Sequence, residues 1–152
     1  MKYTFIAIIA TLFMSCSNND SNKSIDYTEK NEEEITKYIS DNDLDATRTE
    51  SGLYYVINEE GTGKRPTATS NVTVAYKGYY TNGEVFDESD AEGVSFPLQR
   101  VIAGWTEGIQ LFKEGGSGML LIPSHLGYGS YFYNGIPGGS VLIFEVTLIS
   151  VN

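Results

Sequence analysis

The strongest constraint on the fold is an alternation of apolar residues with a period of two. The alternation runs through residues 72–77 and returns at residues 144–148, where Phe144, Val146 and Leu148 are separated by polar residues. This spacing places every second side chain on one face of an extended strand. The sequence therefore predicts strands that bury one face against a core.

A hairpin turn is predicted where the first alternating segment ends. Asn82-Gly83 lies between Tyr80 and Val85, and this dipeptide is favoured in two-residue turns because both residues tolerate positive φ. The two flanking segments should therefore pair as antiparallel strands.

The remaining elements follow from shorter patterns. Apolar runs predict further strands over residues 53–57, 119–122 and 141–151. One short helix is predicted where apolar residues recur at helical spacing, at Ile102, Trp105, Ile109 and Phe112. Several antiparallel strands and one short helix imply an α+β domain in which the sheet curves around the helix.

The first residues resemble the signal peptide of a bacterial lipoprotein. In residues 1–15, Lys2 precedes a short apolar run, and polar residues follow directly after Cys16. A membrane-spanning helix would need about 20 apolar residues, so this run is too short to be one. We expect Cys16 to be lipidated and the protein to be anchored in the cell envelope. Ser17 after the cysteine favours the outer membrane, on its periplasmic or surface face, over the inner membrane.

Three segments are expected after the signal peptide. Residues 16–28 are polar and predict a flexible tether. Residues 29–50 predict an N-terminal helix and a linker, with Asn31 and Glu34 as its N-terminal capping pair. Residues 51–152 form the expected globular domain.

The charge and cysteine content restrict the partners. The net charge is −10, and binding to nucleic acid draws on clustered Lys and Arg, which this chain lacks. The same charge disfavours anionic lipid surfaces, so membrane contact is expected through the lipid anchor alone. Cys16 is the single cysteine, so no disulfide can form within the chain. We expect a monomer held together by packing.

Common catalytic constellations are absent from the sequence. His125 is the single histidine, and no zinc ligand set has suitable spacing once Cys16 is assigned to lipid. No serine lies in a Gly-x-Ser-x-Gly turn. The glycines at 115, 116 and 118 lack the Lys-Ser/Thr pair of a phosphate-binding loop. We therefore expect neither a metal nor a cofactor.

Residues 51–152 closely resemble the FKBP family of peptidyl-prolyl cis/trans isomerases. The first motif reads Val-Ala-Tyr-Lys-Gly-Tyr, the second Asn-Gly-Glu-Val-Phe-Asp, and the third contains Ala-Gly-Trp-Thr-Glu-Gly. Two later motifs agree in order and spacing. The five motifs lie at residues 74–79, 82–87, 96–108, 122–129 and 135–146.

The resemblance implies a fold and a site. Family members curve an antiparallel sheet of five or so strands around a short helix, and a pocket lies between the two. By position, the catalytic set would be Tyr76, Phe86, Asp87, Trp105, Tyr128 and Phe144, with Trp105 as the floor. Substrate would also contact Phe96, Val101, Ile102 and Ile136, and the Ile102 amide would donate to a ligand carbonyl.

The resemblance also implies an activity. The expected function is isomerisation of Xaa-Pro bonds in exported polypeptides, which assists their folding, and FKBP-binding macrolides are expected ligands. The alternative is a binding or assembly module with little isomerase activity, such as a chaperone or a gliding-motility lipoprotein.

Two features of the closing loop leave its role open. Gly138 and Gly139 stand where many relatives have proline, which predicts a softer loop. The aromatic side chains of residues 131–133 either grip residues that flank the substrate proline or fold onto the sheet.

Overall fold

The structure is a computed structural model that describes residues 25–152. The signal peptide, Cys16 and most of the predicted tether lie outside these residues. Within the part that the structure describes, none of the helices is both long and apolar enough to cross a membrane.

In residues 25–152, the fold consists of one antiparallel sheet and two α-helices. The helices are α1 (Thr28–Asp41) and α2 (Ala103–Ile109). The strands are β1 (Thr47–Arg48), β2 (Tyr54–Glu59), β3 (Asn71–Tyr79), β4 (Val85–Glu88), β5 (Val94–Pro97), β6 (Ser117–Ile122) and β7 (Leu142–Val151). The strand order is β1-β2-β6-β7-β3-β4, and β5 also pairs with β3. This arrangement confirms the predicted α+β class.

One face of the sheet packs against α2. Trp105 and Ile109 of the helix belong to the same buried cluster as Leu120 and Phe144 of the sheet. The helix lies directly on β6, because a Cβ added at Gly104 would stand 2.6 Å from Cγ2 of Ile122. The glycine therefore determines how closely α2 approaches the strand.

The other face of the sheet packs against α1. Ile35 is fully buried and belongs to a second cluster with Tyr54, Leu121 and Ile143. Leu121 is the neighbour of Leu120 in the chain, yet the two side chains lie in different clusters. Successive side chains of β6 and β7 therefore point alternately toward α2 and toward α1. Both faces of these central strands are buried.

The prediction of Asn31 as an N-terminal cap is wrong. Helix α1 begins at Thr28, and the carboxylate of Asp26 accepts a 2.9 Å hydrogen bond from the Thr28 N–H. Asn31 lies one turn inside the helix and is fully buried. The capping pattern gave the wrong role for Asn31 because the hydrogen-bond partners of its side chain are distant in sequence.

The hairpin after β3 also differs from its prediction. Its loop has three residues rather than two, because the Tyr80 N–H donates to the Glu84 carbonyl over 2.9 Å. The Gly83 N–H donates back to the Tyr80 carbonyl over 2.8 Å, and Gly83 has a φ of +87°. A glycine in the left-handed region is typical of three-residue hairpin loops. The antiparallel pairing itself is as predicted.

Candidate active site

A cavity of about 550 Å³ opens between α2, the sheet and the loop that precedes β7. Most of the side chains around it are aromatic or aliphatic, and a few are polar. The lining residues are Tyr76, Asp87, Val94, Phe96, Arg100, Val101, Ile102, Trp105, Tyr128, Tyr133 and Asn134. A cavity of this size is typical of sites for small ligands or short peptide segments.

The indole of Trp105 lies at the bottom of the cavity and is enclosed by other rings. Trp105 is 5% exposed. Its ring centroid lies 5.0 Å from that of Tyr76 and 5.1 Å from that of Phe144, both edge to face, and 5.4 Å from that of Phe96. Such edge-to-face contacts are a favoured packing of aromatic rings. Among residues 25–152, the buried Nε1 of Trp105 has no hydrogen-bond partner. The floor is therefore an enclosed aromatic surface that carries one buried N–H without a partner among the described residues.

A hydrogen-bonded pair forms the polar wall. The hydroxyl of Tyr76 on β3 donates to Oδ2 of Asp87 on β4 over 2.8 Å. Burial, followed by the hydrogen bond to Asp87, raises the pKa of Tyr76 to about 12. Burial also raises the pKa of Tyr128, and the charge of Asp87 adds to the shift. Both phenols therefore keep their protons at neutral pH: the hydroxyl of Tyr76 donates its proton to Asp87, and the hydroxyl of Tyr128 can donate to a ligand.

The segment before α2 forms a third wall. The hydroxyl of Thr106 donates to the carbonyl of Leu98 over 2.6 Å, and so joins the first turn of α2 to the 3-10 turn Leu98–Arg100. Val101 and Ile102 lie between these two points and line the cavity. The position of α2 therefore determines the positions of Val101 and Ile102 in this wall.

Three residues predicted for the site do not line this cavity directly. Phe144 is buried and packs edge to face on Phe86, with 5.4 Å between ring centroids. Phe86 and Ile136 instead line a neighbouring depression. Gly78 of β3 makes room for these rings, because a Cβ there would lie 2.7 Å from Phe144 and 2.8 Å from Phe86. Phe144 therefore supports the lining rings of Tyr76 and Trp105 from behind, and Phe86 and Ile136 lie beside the cavity.

The loop before β7 supplies the rim. The rings of Tyr128 and Tyr133 stack with centroids 5.2 Å apart, and both line the cavity. Tyr131 and Phe132 are 66% and 73% exposed, so they do not fold onto the sheet. Of the two roles left open for these aromatic residues, the exposed positions favour contact with a bound polypeptide.

The two adjacent glycines in this loop have a packing reason. A Cβ on Gly138 would stand 2.1 Å from the carbonyl oxygen of Ser130. Gly139 has a φ of +77°, and a Cβ there would lie 2.3 Å from the ring of Tyr27. The glycines therefore allow close approach, which gives a reason for their presence other than the predicted softness.

Three lining residues were not predicted for the site. Val94, Arg100 and Asn134 border the cavity, together with Tyr133, whose role was left open. Arg100 could have been predicted to lie at the cavity, because it is adjacent in the chain to Val101, which was predicted to contact substrate. Asn134 has a positive φ of 45°, and its orientation depends on a loop conformation that no sequence pattern indicates.

Comparisons with known proteins agree with this geometry. Residues 63–149 match the family model described as FKBP-type peptidyl-prolyl cis-trans isomerase. A relative from Aeromonas hydrophila, called FKBP-type peptidyl-prolyl cis-trans isomerase FkpA, is 45% identical over 105 residues. That match covers 68% of this chain and 39% of the relative. The chain thus spans less than half the length of this relative.

Two solved structures are similar over most of the chain. The crystal structure of FkpA from Escherichia coli has a TM-score of 0.76 and 37% identity, and the match covers 85% of this chain and 61% of that one. A peptidyl-prolyl cis-trans isomerase from Pseudomonas syringae has a TM-score of 0.72 and 28% identity. This second match covers 86% of this chain and 99% of that one.

Proposed function

The chain belongs to the FKBP-type peptidyl-prolyl cis-trans isomerase family, and from this premise we propose that it catalyses isomerisation of Xaa-Pro bonds in polypeptides. The observation that carries the proposal is the apolar cavity with the Trp105 floor and the Tyr76–Asp87 pair on its wall. The family gives the reaction, and the residues around the cavity give its mechanism.

The reaction requires rotation and no covalent change. A peptide bond resists rotation by about 18–20 kcal/mol, because resonance gives the C–N bond partial double-bond character. As the bond twists, the nitrogen lone pair localises and the carbonyl becomes less polar. A site that favours this less polar, twisted amide over the planar, hydrated one will accelerate the rotation.

The cavity has the properties that such a preference needs. The enclosed indole of Trp105 gives the proline ring an apolar surface, so the substrate amide loses much of its water on binding. The hydroxyl of Tyr128 and the carboxylate of Asp87 provide polar contacts at the wall. A ten-thousandfold acceleration would need about 5.5 kcal/mol of preferential stabilisation of the twisted state. Desolvation, shape and a few oriented hydrogen bonds can together supply this amount.

The lining also suggests the substrates and ligands. Val94, Phe96 and Tyr133 give the cavity apolar sides, which suit an apolar residue before the proline. Unfolded exported polypeptides are the substrates that we propose, because slow proline isomerisation can limit folding for tens of seconds. FKBP-binding macrolides are the small-molecule ligands that we propose for the same cavity.

The test is a peptide isomerisation assay with two matched variants. We expect the protein to accelerate isomerisation of a Leu-Pro peptide, and we expect Asp87→Leu to lower kcat/KM by about tenfold through loss of a polar contact. Glu88→Leu is the control, because Glu88 is the next residue on β4 and does not line the cavity. A folded protein with no acceleration would refute the proposal. Equal losses in the two variants would refute the assignment of Asp87.

We also propose that Cys16 carries lipid and anchors the protein in the cell envelope. The support is the order of Lys2, an apolar run, Cys16 and polar residues at the start of the sequence. In a bacterial host, the wild-type protein should fractionate with membranes and the mass of its N-terminal peptide should include acyl chains. Cys16→Ser should release it into the soluble envelope fraction. Equal fractionation of the two proteins would contradict this proposal.

A further inference from the structure

The rim of the cavity is a closed loop whose two ends meet. Residues 124–139 leave the sheet after β6 and return before β7, and they carry Tyr128, Tyr133 and Asn134. The Gly129 N–H donates to the Ser124 carbonyl over 2.8 Å, and the Gly139 N–H donates to the Gly129 carbonyl over 2.8 Å. Compact loops with adjacent ends are called Ω-loops and are frequently functional.

A single side chain of α1 joins the two ends of this loop. The amide nitrogen of Asn31 donates to the carbonyl of Gly139 over 2.8 Å. Its amide oxygen accepts a 2.8 Å hydrogen bond from the Ser124 N–H. Asn31 is fully buried, and both bonds are buried. One asparagine therefore satisfies a donor at the start of the loop and an acceptor at its end.

Neighbouring residues of α1 hold Asn31 in place. Ile35 packs on the outer face of the sheet, and the carboxylate of Glu32 accepts a 2.6 Å hydrogen bond from the hydroxyl of Tyr54. On the loop side, the hydroxyl of Ser130 donates to the carbonyl of Ile25 over 2.8 Å. The helix is therefore attached to the sheet, and the segment that precedes it is attached to the loop.

We propose that α1 is part of the isomerase site and that Asn31 is a positioning residue that holds the loop of residues 124–139. The inference rests on the proposed function and adds a determinant outside the cavity. Asn31 does not line the cavity and acts through the loop, because the two bonds that it makes keep the ends of the loop together. The stacked rings of Tyr128 and Tyr133 then remain at the rim.

Asn31 adds two buried bonds at the ends of the loop to the loop's own backbone bonds and to Ile136, which is 8% exposed and packs in the core. Tyr131, Phe132 and Tyr133 are more than half exposed, so the tip contributes little buried apolar surface. Segments with few buried contacts open locally at low cost. Without Asn31, the buried Ser124 N–H and Gly139 carbonyl would lose these partners, and such losses favour opening to water.

The test compares Asn31→Ala with Ile35→Ala in the full chain. Both variants truncate a fully buried side chain of α1, but Ile35 packs on the sheet and Asn31 bonds to the loop. Amide hydrogen exchange of Ser124, Gly129 and Gly139 reports whether the loop is closed, and amides of β3 and β7 serve as references. The KM and kcat for a Leu-Pro peptide report whether the cavity wall is correctly positioned.

We expect Asn31→Ala to lose protection at the three loop amides while the sheet amides keep theirs. Its KM should rise by about threefold or more, with a smaller change in kcat, because a misplaced wall weakens substrate positioning. Ile35→Ala should lower the melting temperature at least as much, but it should change KM and the protection of the loop amides less than Asn31→Ala, because both bonds from Asn31 to the loop remain. Asn31→Leu keeps about the same side-chain volume and removes both bonds without burying a charge. It should give the same loss of protection, and it is the test variant if Asn31→Ala does not fold.

Two results would overturn the inference. One is full protection of the loop amides in the Asn31 variants, and the other is equal loss of protection and equal change of KM in Ile35→Ala. If the wild-type protein proves inactive, the proposed function fails, but the exchange pattern still decides whether Asn31 holds the loop.

Discussion

Proton binding by Tyr76 links the site to the stability of the fold. Burial and the hydrogen bond to Asp87 raise the pKa of Tyr76 to about 12, whereas a phenol in an unfolded chain titrates near pH 10. Between these values the unfolded chain releases the proton and the folded chain keeps it. The free energy of unfolding must therefore fall as pH rises through this window, and it is insensitive to Tyr76 below the window.

Tyr76→Phe should remove this part of the alkaline instability. We expect the free energy of unfolding of the variant to decrease less than that of the wild type as pH rises from neutral to strongly alkaline. Urea unfolding curves at several pH values would measure both slopes. Because the other tyrosines remain in both proteins, the difference between the slopes reports Tyr76 alone. Parallel slopes would contradict the assigned pKa.

Sequence motifs give the positions of the proposed site residues along the chain but not their depth around the cavity. Tyr76, Asp87 and Trp105 come from matching motifs and line the cavity. Phe144 belongs to the same motifs but is buried against the indole of Trp105, and Phe86 lines a neighbouring depression. A motif gives the order of residues along the chain, whereas the depth of each ring depends on packing across strands. Asn31 could not be predicted as a loop contact because its partners are 93 and 108 residues away.

At the scale of elements, the contact between α2 and β6 is the tightest constraint on the cavity floor. A Cβ on Gly104 would meet three atoms of Ile122 within 3.1 Å, and Ile122 is fully buried. Alanine would improve helix propensity by up to about 1 kcal/mol. Overpacking of a rigid core costs about 1–3 kcal/mol. The packing cost should therefore exceed the gain.

We expect Gly104→Ala to lower the free energy of unfolding by about 1–2 kcal/mol, since the overpacking cost is partly offset by helix propensity. Its isomerase activity should fall as well, because Trp105 moves with the helix. Ala103→Ser is the control at the exposed neighbouring position, and it should stay within about 0.5 kcal/mol of the wild type. Urea unfolding would measure both. A Gly104→Ala protein as stable as the wild type would show that α2 can shift freely.

The exposed tip of the loop leads to a prediction about substrate size. Phe132 is 73% exposed and lies next to Tyr133 of the cavity rim. A short peptide that fills the cavity would not extend to this ring, whereas a longer chain would pass over it. Phe132→Ala should therefore leave kcat/KM for a four-residue Leu-Pro peptide unchanged. It should lower the acceleration of a proline-limited protein refolding reaction by about threefold, the effect of one lost apolar contact.

Ile149→Ala is the matched control for Phe132→Ala. Ile149 is also an exposed apolar residue, but it lies on β7 and does not line the cavity. It should leave both activities unchanged. Equal effects of Phe132→Ala on the peptide and on the protein substrate would show that the ring does not contact the flanking chain.

Elements differed in how well the sequence predicted them. The central strands were predictable because their apolar runs and alternation are strong, and β6 and β7 follow the predicted bounds closely. The short strands β1 and β5 were not predicted. β1 has two exposed residues, and β5 ends in Pro97, so neither carries a core pattern. Both strands form because the neighbouring strand has free backbone hydrogen-bonding groups at its edge. This pairing depends on the tertiary structure and leaves no pattern in the local sequence.

At the scale of the whole molecule, the cavity depends on the complete fold. Its lining residues lie between Tyr76 and Asn134 in the chain and come from β3, β4, β5, α2 and the loop before β7. Helix α2 holds the floor from one face of the sheet, and α1 holds the rim loop from the other. The site is therefore sensitive to packing on both faces.

The net charge of the whole molecule should influence which substrates are captured. The chain carries a net charge of −10, and Asp87 places one carboxylate at the cavity wall. Long-range attraction raises the encounter rate with cationic substrates. It is screened over about 10 Å at 0.1 M salt and about 3 Å at 1 M salt. A Leu-Pro peptide flanked by lysines should therefore have a higher kcat/KM at low salt than the same peptide flanked by glutamates.

This preference should shrink as salt is added, because screening removes the long-range part of the attraction. A peptide with uncharged flanks is the control and should keep a nearly constant kcat/KM across the series. The peptide assay at several salt concentrations would measure all three. Equal kcat/KM values for the lysine and glutamate peptides at low salt would show that capture depends on the apolar cavity alone. A preference that persists at 1 M salt would instead indicate direct contact between the lysines and a carboxylate such as Asp87.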